Sequence, residues 1–350
     1  MRLGMPLSYS SGFVETVEHL KEYEAAGLDL VLVAEAYTFD AVSQLGYLAA
    51  KTSRVQIASG ILNVYSRTPA LLAMTAAGLD FVSEGRFVLG LGASGPQVIE
   101  GFHGVPYEAP VGRSREVVEI VRKVWRREPL TFAGKHFHLP LSAEHGGTGL
   151  GKPLRMINHP VRADIPVVLA ALGPKNVALA AELFDGWEPV FFWPEQAGAA
   201  FGEALAAGKA KRSAELGPLQ VMADTFVCIT EDAAEREAAL QTARGHIALY
   251  VGGMGARGRN FYNDLAVRYG FADAARTVQD LYLSGRKAEA AAAVPEELVH
   301  GVTLIGAPGH IKERLAAYEA AGVTTLNAVP LHASHESNVR TVAQLKEYTA

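Results

Sequence analysis

The segment Arg86–Gly104, RFVLGLGASGPQVIEGFHG, holds more small residues than one turn needs. Phe87-Val88-Leu89 has the length and branching of a buried strand. The run then breaks into Gly90, Gly92, Ala93, Ser94, Gly95 and Pro96, which do not continue as ordinary strand backbone. A strand ending this way leaves bare N–H groups and room for a ligand against the main chain. A second small-residue stretch, Ala170-Ala171-Leu172-Gly173, precedes a helix start. Exposed N–H groups and the helix dipole there suit a phosphate, and Lys175 adds charge; a plain strand-to-helix turn explains the same residues equally well. Glu35 places a charge at the carboxyl end of the apolar run LDLVLVAE.

Other chemistries find no residues. There is no Lys placed for a Schiff base, no Asp/His/Glu cluster at metal-ligand spacing, no Gly-x-Ser-x-Gly elbow and no Walker loop. His136 and His138 alternate as on a hairpin face without an acidic neighbour, which argues against zinc. The single cysteine, Cys228, lies in the apolar run Phe226-Val227-Cys228-Ile229 and reads as a buried structural thiol. What remains is backbone and apolar surface, the kind of site that holds a planar cofactor and leaves the chemistry to it.

The elements that must position these residues repeat. Strands are expected at residues 3–7, 28–35, 55–58, 86–92, 165–169, 185–190, 221–229 and 324–329, with helices between them. Gly27 and Gly85 close helices and Pro69 opens one. Eight strands alternating with helices match a (β/α)₈ TIM barrel rather than an open sheet. A single domain over 1–350 suffices, with rim insertions near 128–165 and 252–300. In a barrel the carboxyl ends of the strands face the site, so the small-residue stretches fall on one rim. A net charge of −5 without basic runs argues against nucleic acid. No apolar run reaches membrane-spanning length, and the expected setting is the cytoplasm.

Several motifs together resemble the luciferase-like flavin and deazaflavin oxidoreductases, in the branch that uses coenzyme F420 and is related to methylenetetrahydromethanopterin reductase. They are LDLVLVAEAY (28–37), SGILNVYSRTP (59–69), GLGASGPQVIEGFHG (90–104), TGLGKP (148–153), AALGPKNV (170–177) and FDGWEPVFFWP (184–194). The resemblance implies a (β/α)₈ barrel and hydride transfer between F420 and a small-molecule substrate, with FMN-dependent oxygenation or non-catalytic cofactor binding as alternatives. It implies a non-proline cis peptide at Gly60-Ile61 behind the ring. It places Gly92, Ala93 and Ser94 along the ring or ribityl chain, and Ala170–Gly173 at the phosphate. A homodimer is common in the family. The histidine and glutamate that handle the substrate proton in the sugar-phosphate dehydrogenase branch align with Ala36 and Gly95, so that route is absent. Glu35 matches the neighbouring acidic position and is the expected acid, since a buried carboxylate with a raised pKa suits proton exchange. Asn63 either bonds the ring edge or caps its turn, and Tyr37 and Trp187 are expected as pocket walls. Gln97, Glu100, His103, His332 and His335 are weaker substrate contacts.

Overall fold

In the computed structural model the described residues are 1–8 and 12–349. Tyr9, Ser10 and Ser11, in the loop expected after the first strand, and the terminal Ala350 lie outside them. Eight parallel strands close on themselves: Arg2–Pro6, Leu30–Val33, Gln56–Ser59, Phe87–Gly92, Val167–Ala170, Gly186–Glu188, Gln220–Ile229 and Thr325–Pro330. They are strands one to eight below. Closure runs through strand one, where Leu3 sits opposite Leu326 and Gly4 opposite Leu30. Strand seven pairs at its start with strand six (Val221 with Trp187) and along its length with strand eight (Asp224 with Asn327). The (β/α)₈ barrel expected from the repeat is therefore the observed fold.

Local chemistry explains the element ends. Thr68 accepts the Leu71 N–H at 3.2 Å and Pro69 occupies the first turn, so the helix Pro69–Val82 starts where its sequence says. Asp40 likewise accepts from Ser43 to open the helix Ala41–Lys51. Two features differ from expectation. The single helix read over 12–26 is two short ones, Phe13–Glu18 and Leu20–Ala25, meeting at His19. A ninth parallel segment, Leu304–Gly306, pairs with the end of strand seven; three apolar residues are too few to show a period. In the first insertion, Phe132–Ala133 and His138–Leu139 form the anticipated hairpin. It is pinned by Glu116, whose carboxylate accepts N–H groups of Lys135, His136 and Phe137 at 2.7–3.0 Å. The second insertion is helical, with helices Phe261–Arg268, Ala272–Leu283, Lys287–Ala292 and Glu296–Gly301.

The core has two parts. Most of it lies between strands and helices, and Trp125, Phe87, Phe184 and Trp187 are fully buried there; each such side chain contributes on the order of 2–3 kcal/mol of burial. A separate cluster of Leu30, Leu32, Ala58, Val88, Val168 and Met222 fills the barrel interior. These are the alternate, inward-facing positions of strands two, three, four, five and seven. Among the described residues no helix is long and apolar enough to cross a membrane.

Candidate active site

At the end of strand two, Glu35 is not an open acid. Both its oxygens accept from Arg67, at 2.6 and 2.9 Å, and one also accepts the Ala41 N–H at 3.1 Å. Arg67 reaches on to Asp40 at 2.6 Å, where burial is outweighed by bonds from Ser43 and the Arg67 charge, holding that carboxyl below its usual range. The same contacts raise the Arg67 pKa. Glu35 is thus bonded through both oxygens, where the expectation was an acid free to exchange a proton. Its side chain is only 7% exposed, and its partners make it an anchor between strand two, the next helix and the strand-three loop.

Strand three ends in the Gly60–Ile61 peptide, which is cis, followed by a short segment Leu62–Asn63 that pairs with strand four. Asn63 is buried and its Oδ1 accepts the N–H groups of Tyr65 (3.0 Å) and Ser66 (2.7 Å), so the turn-capping alternative is the observed one. The glycines of strand four answer to this bulge. A Cβ on Gly90 would strike the Ser59 carbonyl oxygen, and one on Gly92 would lie 2.8 Å from Ile61 Cδ1. Gly92 is itself buried. It lets Ile61 lie against strand four, a reason for glycine there besides the expected room for a ligand. Ala93 and Ser94 beyond it are partly open, and Ser94 adopts a left-handed φ of 54°.

At the end of strand five, Ala170 and Gly173 are partly open while Ala171 and Leu172 are buried. The carbonyls of Ala171 and Leu172 accept from Trp187 Nε1 (2.8 Å) and Arg268 (2.8 Å), which leaves the N–H side of the helix Pro174–Leu183 toward the rim. A Cβ on Gly173 meets no atom within 4 Å, and Lys175 is exposed. Trp187, expected as a pocket wall, lies in the outer core at 1% exposure, because the strand pleat turns it toward the helices. Tyr37 does stand at the rim, 65% exposed and 6.3 Å from the ring of Phe102. Buried side-chain atoms without a partner follow strands three, four and five: Ser66 Oγ, His103 Nε2 and Asn176 Oδ1. Loops rich in open backbone and orphaned polar atoms fit a planar, phosphate-bearing cofactor at this rim.

The weaker sequence candidates scatter. Gln97 and Glu100 are exposed, and Glu100 accepts the Tyr107 N–H at 3.2 Å. His335 joins His19 and Glu22, while His332 bonds Glu235 at 2.7 Å and stands 3.9 Å from Cys228 Sγ. Each of these two groups brings ligand-type atoms within 4.8 Å, assembled from segments too distant in sequence to show a metal spacing. Cys228 is buried, and burial pushes its thiol up to about 11.

Sequence reasoning passed over the acids inside the barrel. Glu188 ends strand six and Asp224 lies midway along strand seven. Burial, and then the charge of Asp224, drives Glu188 well above the carboxylate range. Burial raises Asp224 to about 7, against a lowering hydrogen bond of 2.8 Å from Asn327 Nδ2. The usable signal was parity: Asp224 is two residues on from the inward-facing Met222. Toward the rim, Phe226 packs on His246 at 4.8 Å, and burial lowers that histidine to about 4.

Comparison with known proteins gives the chain its family. A protein of Mycobacterium tuberculosis, provisionally named a coenzyme F420-dependent oxidoreductase, is 44% identical over 332 residues, covering 93% of this chain and 94% of its own. The 5,10-methylenetetrahydromethanopterin reductase of Archaeoglobus fulgidus is 28% identical over 335 residues, covering 94% and 93%. The solved coenzyme F420-dependent tetrahydromethanopterin reductase of Methanopyrus kandleri superposes with a TM-score of 0.81 at 21% identity, covering 99% of each chain. The luciferase-like monooxygenase family model matches residues 1–325, and the chain belongs to that family.

Proposed function

We propose that this protein is an oxidoreductase that moves a hydride between coenzyme F420 and a small organic molecule. The observation that carries the reading is the near full-length identity of 44% to a relative named for F420, joined to a rim built of backbone and orphaned polar atoms. When bound, the deazaflavin supplies or takes the hydride. Ile61, Ala93 and Ser94 would flank the ring, with Gly60 behind it, while Gly92 and Asn63 hold those loops in shape. Ala170 to Gly173 and the following helix N-terminus would take the phosphate, with Lys175 adding charge. Glu35 enters as the anchor of this rim through Arg67. The whole chain works as one domain, in the cytoplasm and as a homodimer, on this reading.

Titration of the purified protein with F420, followed by cofactor fluorescence, tests it. Saturable binding is expected, and Lys175→Ala should weaken it several-fold in a manner that added salt suppresses. Binding of FMN with no affinity for F420 would overturn the proposal in favour of a flavin-dependent monooxygenase.

A further inference from the structure

Glu188 and Asp224 are the carboxyl groups that the site so far leaves without work, and their surroundings are unusual. Glu188 crosses the barrel from strand six: its Oε1 lies 3.6 Å from the position a Cβ on Gly60 would take, beside Leu32. It therefore ends at strand three, beside the Gly60 end of the bulge on which the ring is proposed to rest. Asp224 sits on the adjacent strand and keeps part of its surface open, whereas Glu188 is only 8% exposed. No Lys, Arg or His side chain among the described residues is hydrogen-bonded or ion-paired to either, and the charge acting on Glu188 is that of Asp224. His246, packed on Phe226 two residues beyond Asp224, has its pKa lowered to about 4 by burial.

Asn327 supplies an independent observation. It is fully buried, its amide donates to Asp224, and its Oδ1 has no partner. That oxygen occupies the space a side chain at position 4 would fill, so only Gly4 admits it. An orphaned acceptor in this layer calls for a donor. The O–H or N–H of a bound molecule would supply one. Two acids packed together in low dielectric without a cation favour sharing a proton over ionising together.

We infer that Glu188, with Asp224 and Asn327 as positioning residues, is the proton-carrying group of the hydride-transfer reaction, and that its substrate is an uncharged molecule with a polar double bond to carbon. The inference rests on the F420 reading above. In the reducing direction, carbon takes the hydride and its two electrons from the reduced deazaflavin, which is oxidised. The substrate π pair moves to the heteroatom, or through an enone to its oxygen, and the Glu188 O–H breaks to place its proton there. Glu188 is left as a carboxylate and regains a proton from solvent by way of the more open Asp224. In the oxidising direction the same carboxylate takes the proton of an alcohol. An anionic substrate would be repelled in the ionised half of this cycle, since among the described residues no cationic side chain is bonded to either acid.

The first measurement needs no cofactor: the infrared carbonyl stretch of a protonated carboxylic acid, in the full-length protein from pH 5 to 9. A band persisting at neutral pH, titrating near the range of Asp224, and lost or shifted in both Glu188→Gln and Asp224→Asn is expected. Its absence from the wild type, or its survival in both variants, overturns the inference. The second uses reduced F420 with cyclohexenone, a neutral enone. Glu188→Gln should lower the single-turnover rate on the order of 10²–10⁴-fold while F420 affinity stays within about twofold, as for a proton-transfer group. Asp224→Asn should move the pH profile more than the maximum rate. A Glu188→Gln rate within about threefold of wild type overturns the catalytic role, and a wild type that binds F420 but leaves the enone unreduced overturns the substrate class. Loss of F420 binding in the wild type, with the infrared band intact, would instead sink the reading beneath it.

Discussion

Two sets of buried carboxylates stand at neighbouring depths of one barrel and have opposite surroundings. Glu35, at the end of strand two, is clamped by both nitrogens of an arginine fork and by a helix N–H. Glu188 and Asp224, on strands six and seven, have burial as their main influence, with the charge of Asp224 acting on Glu188 and the Asn327 amide bonded to Asp224. A charge-assisted, bidentate pair holds a carboxylate ionised and in place. An uncompensated buried pair makes ionisation costly and keeps a proton available near neutral pH. Burial alone therefore does not mark an acid as a proton carrier; the identity of its partner does. The lesson applies to Glu35, which looks like the catalytic acid until Arg67 is placed.

The largest effect should come from breaking the clamp. Arg67→Met leaves Glu35 buried and unpaired, and chemical denaturation should show a loss of about 3–5 kcal/mol. The double variant Glu35→Gln/Arg67→Met should recover much of that loss, since both partners of the pair are then neutral. If the single variant costs no more than a surface substitution, the contrast between the two acid sites fails.

An opposite sign is expected at the other site. The folded-state pKa values of Glu188 and Asp224 are raised, so the folded protein binds more protons than the unfolded chain above the ordinary carboxylate range. Their contribution favours folding at low pH and falls as pH rises from the unfolded values through the folded value of about 7 for Asp224. Asp224→Asn should flatten that fall and raise the midpoint of thermal unfolding at pH 8 by roughly one to two degrees, on the order of 1 kcal/mol. A lower midpoint at pH 8 would show that the ionised Asp224 is stabilised by something other than Asn327.

The smallest effect belongs to Asn327. Its amide favours the ionised form of Asp224, so Asn327→Ala should move the carboxyl titration further upward, by less than about one pH unit. Carboxyl-labelled NMR would read the shift, and movement downward would contradict the assigned role of the amide.

Much of this molecule was legible before any coordinates. The eight barrel strands and the two insertions near 128–165 and 252–300 follow from apolar runs, turn residues and spacing, all of which act over a few residues. The small-residue stretches at strands four and five were legible as structural exceptions, but their purposes were not. Gly90 and Gly92 look like room for a ligand, yet the structure fills that room with Ser59 and Ile61 from the neighbouring strand. Trp187 reads as a wall, yet the pleat points it outward.

The sequence by itself determined the barrel and the rim on which its loops gather, because hydrophobic periodicity and chain punctuation are local. Only the tertiary structure decided which acid is tied to an arginine and which is buried beside another acid. Glu35 meets an arginine 32 residues away, and Asp224 meets an asparagine 103 residues away across the closing strands. The protonation of a carboxyl depends on the charges and dipoles within a few ångströms of it, and only the packing of neighbouring strands and their loops brings those groups together.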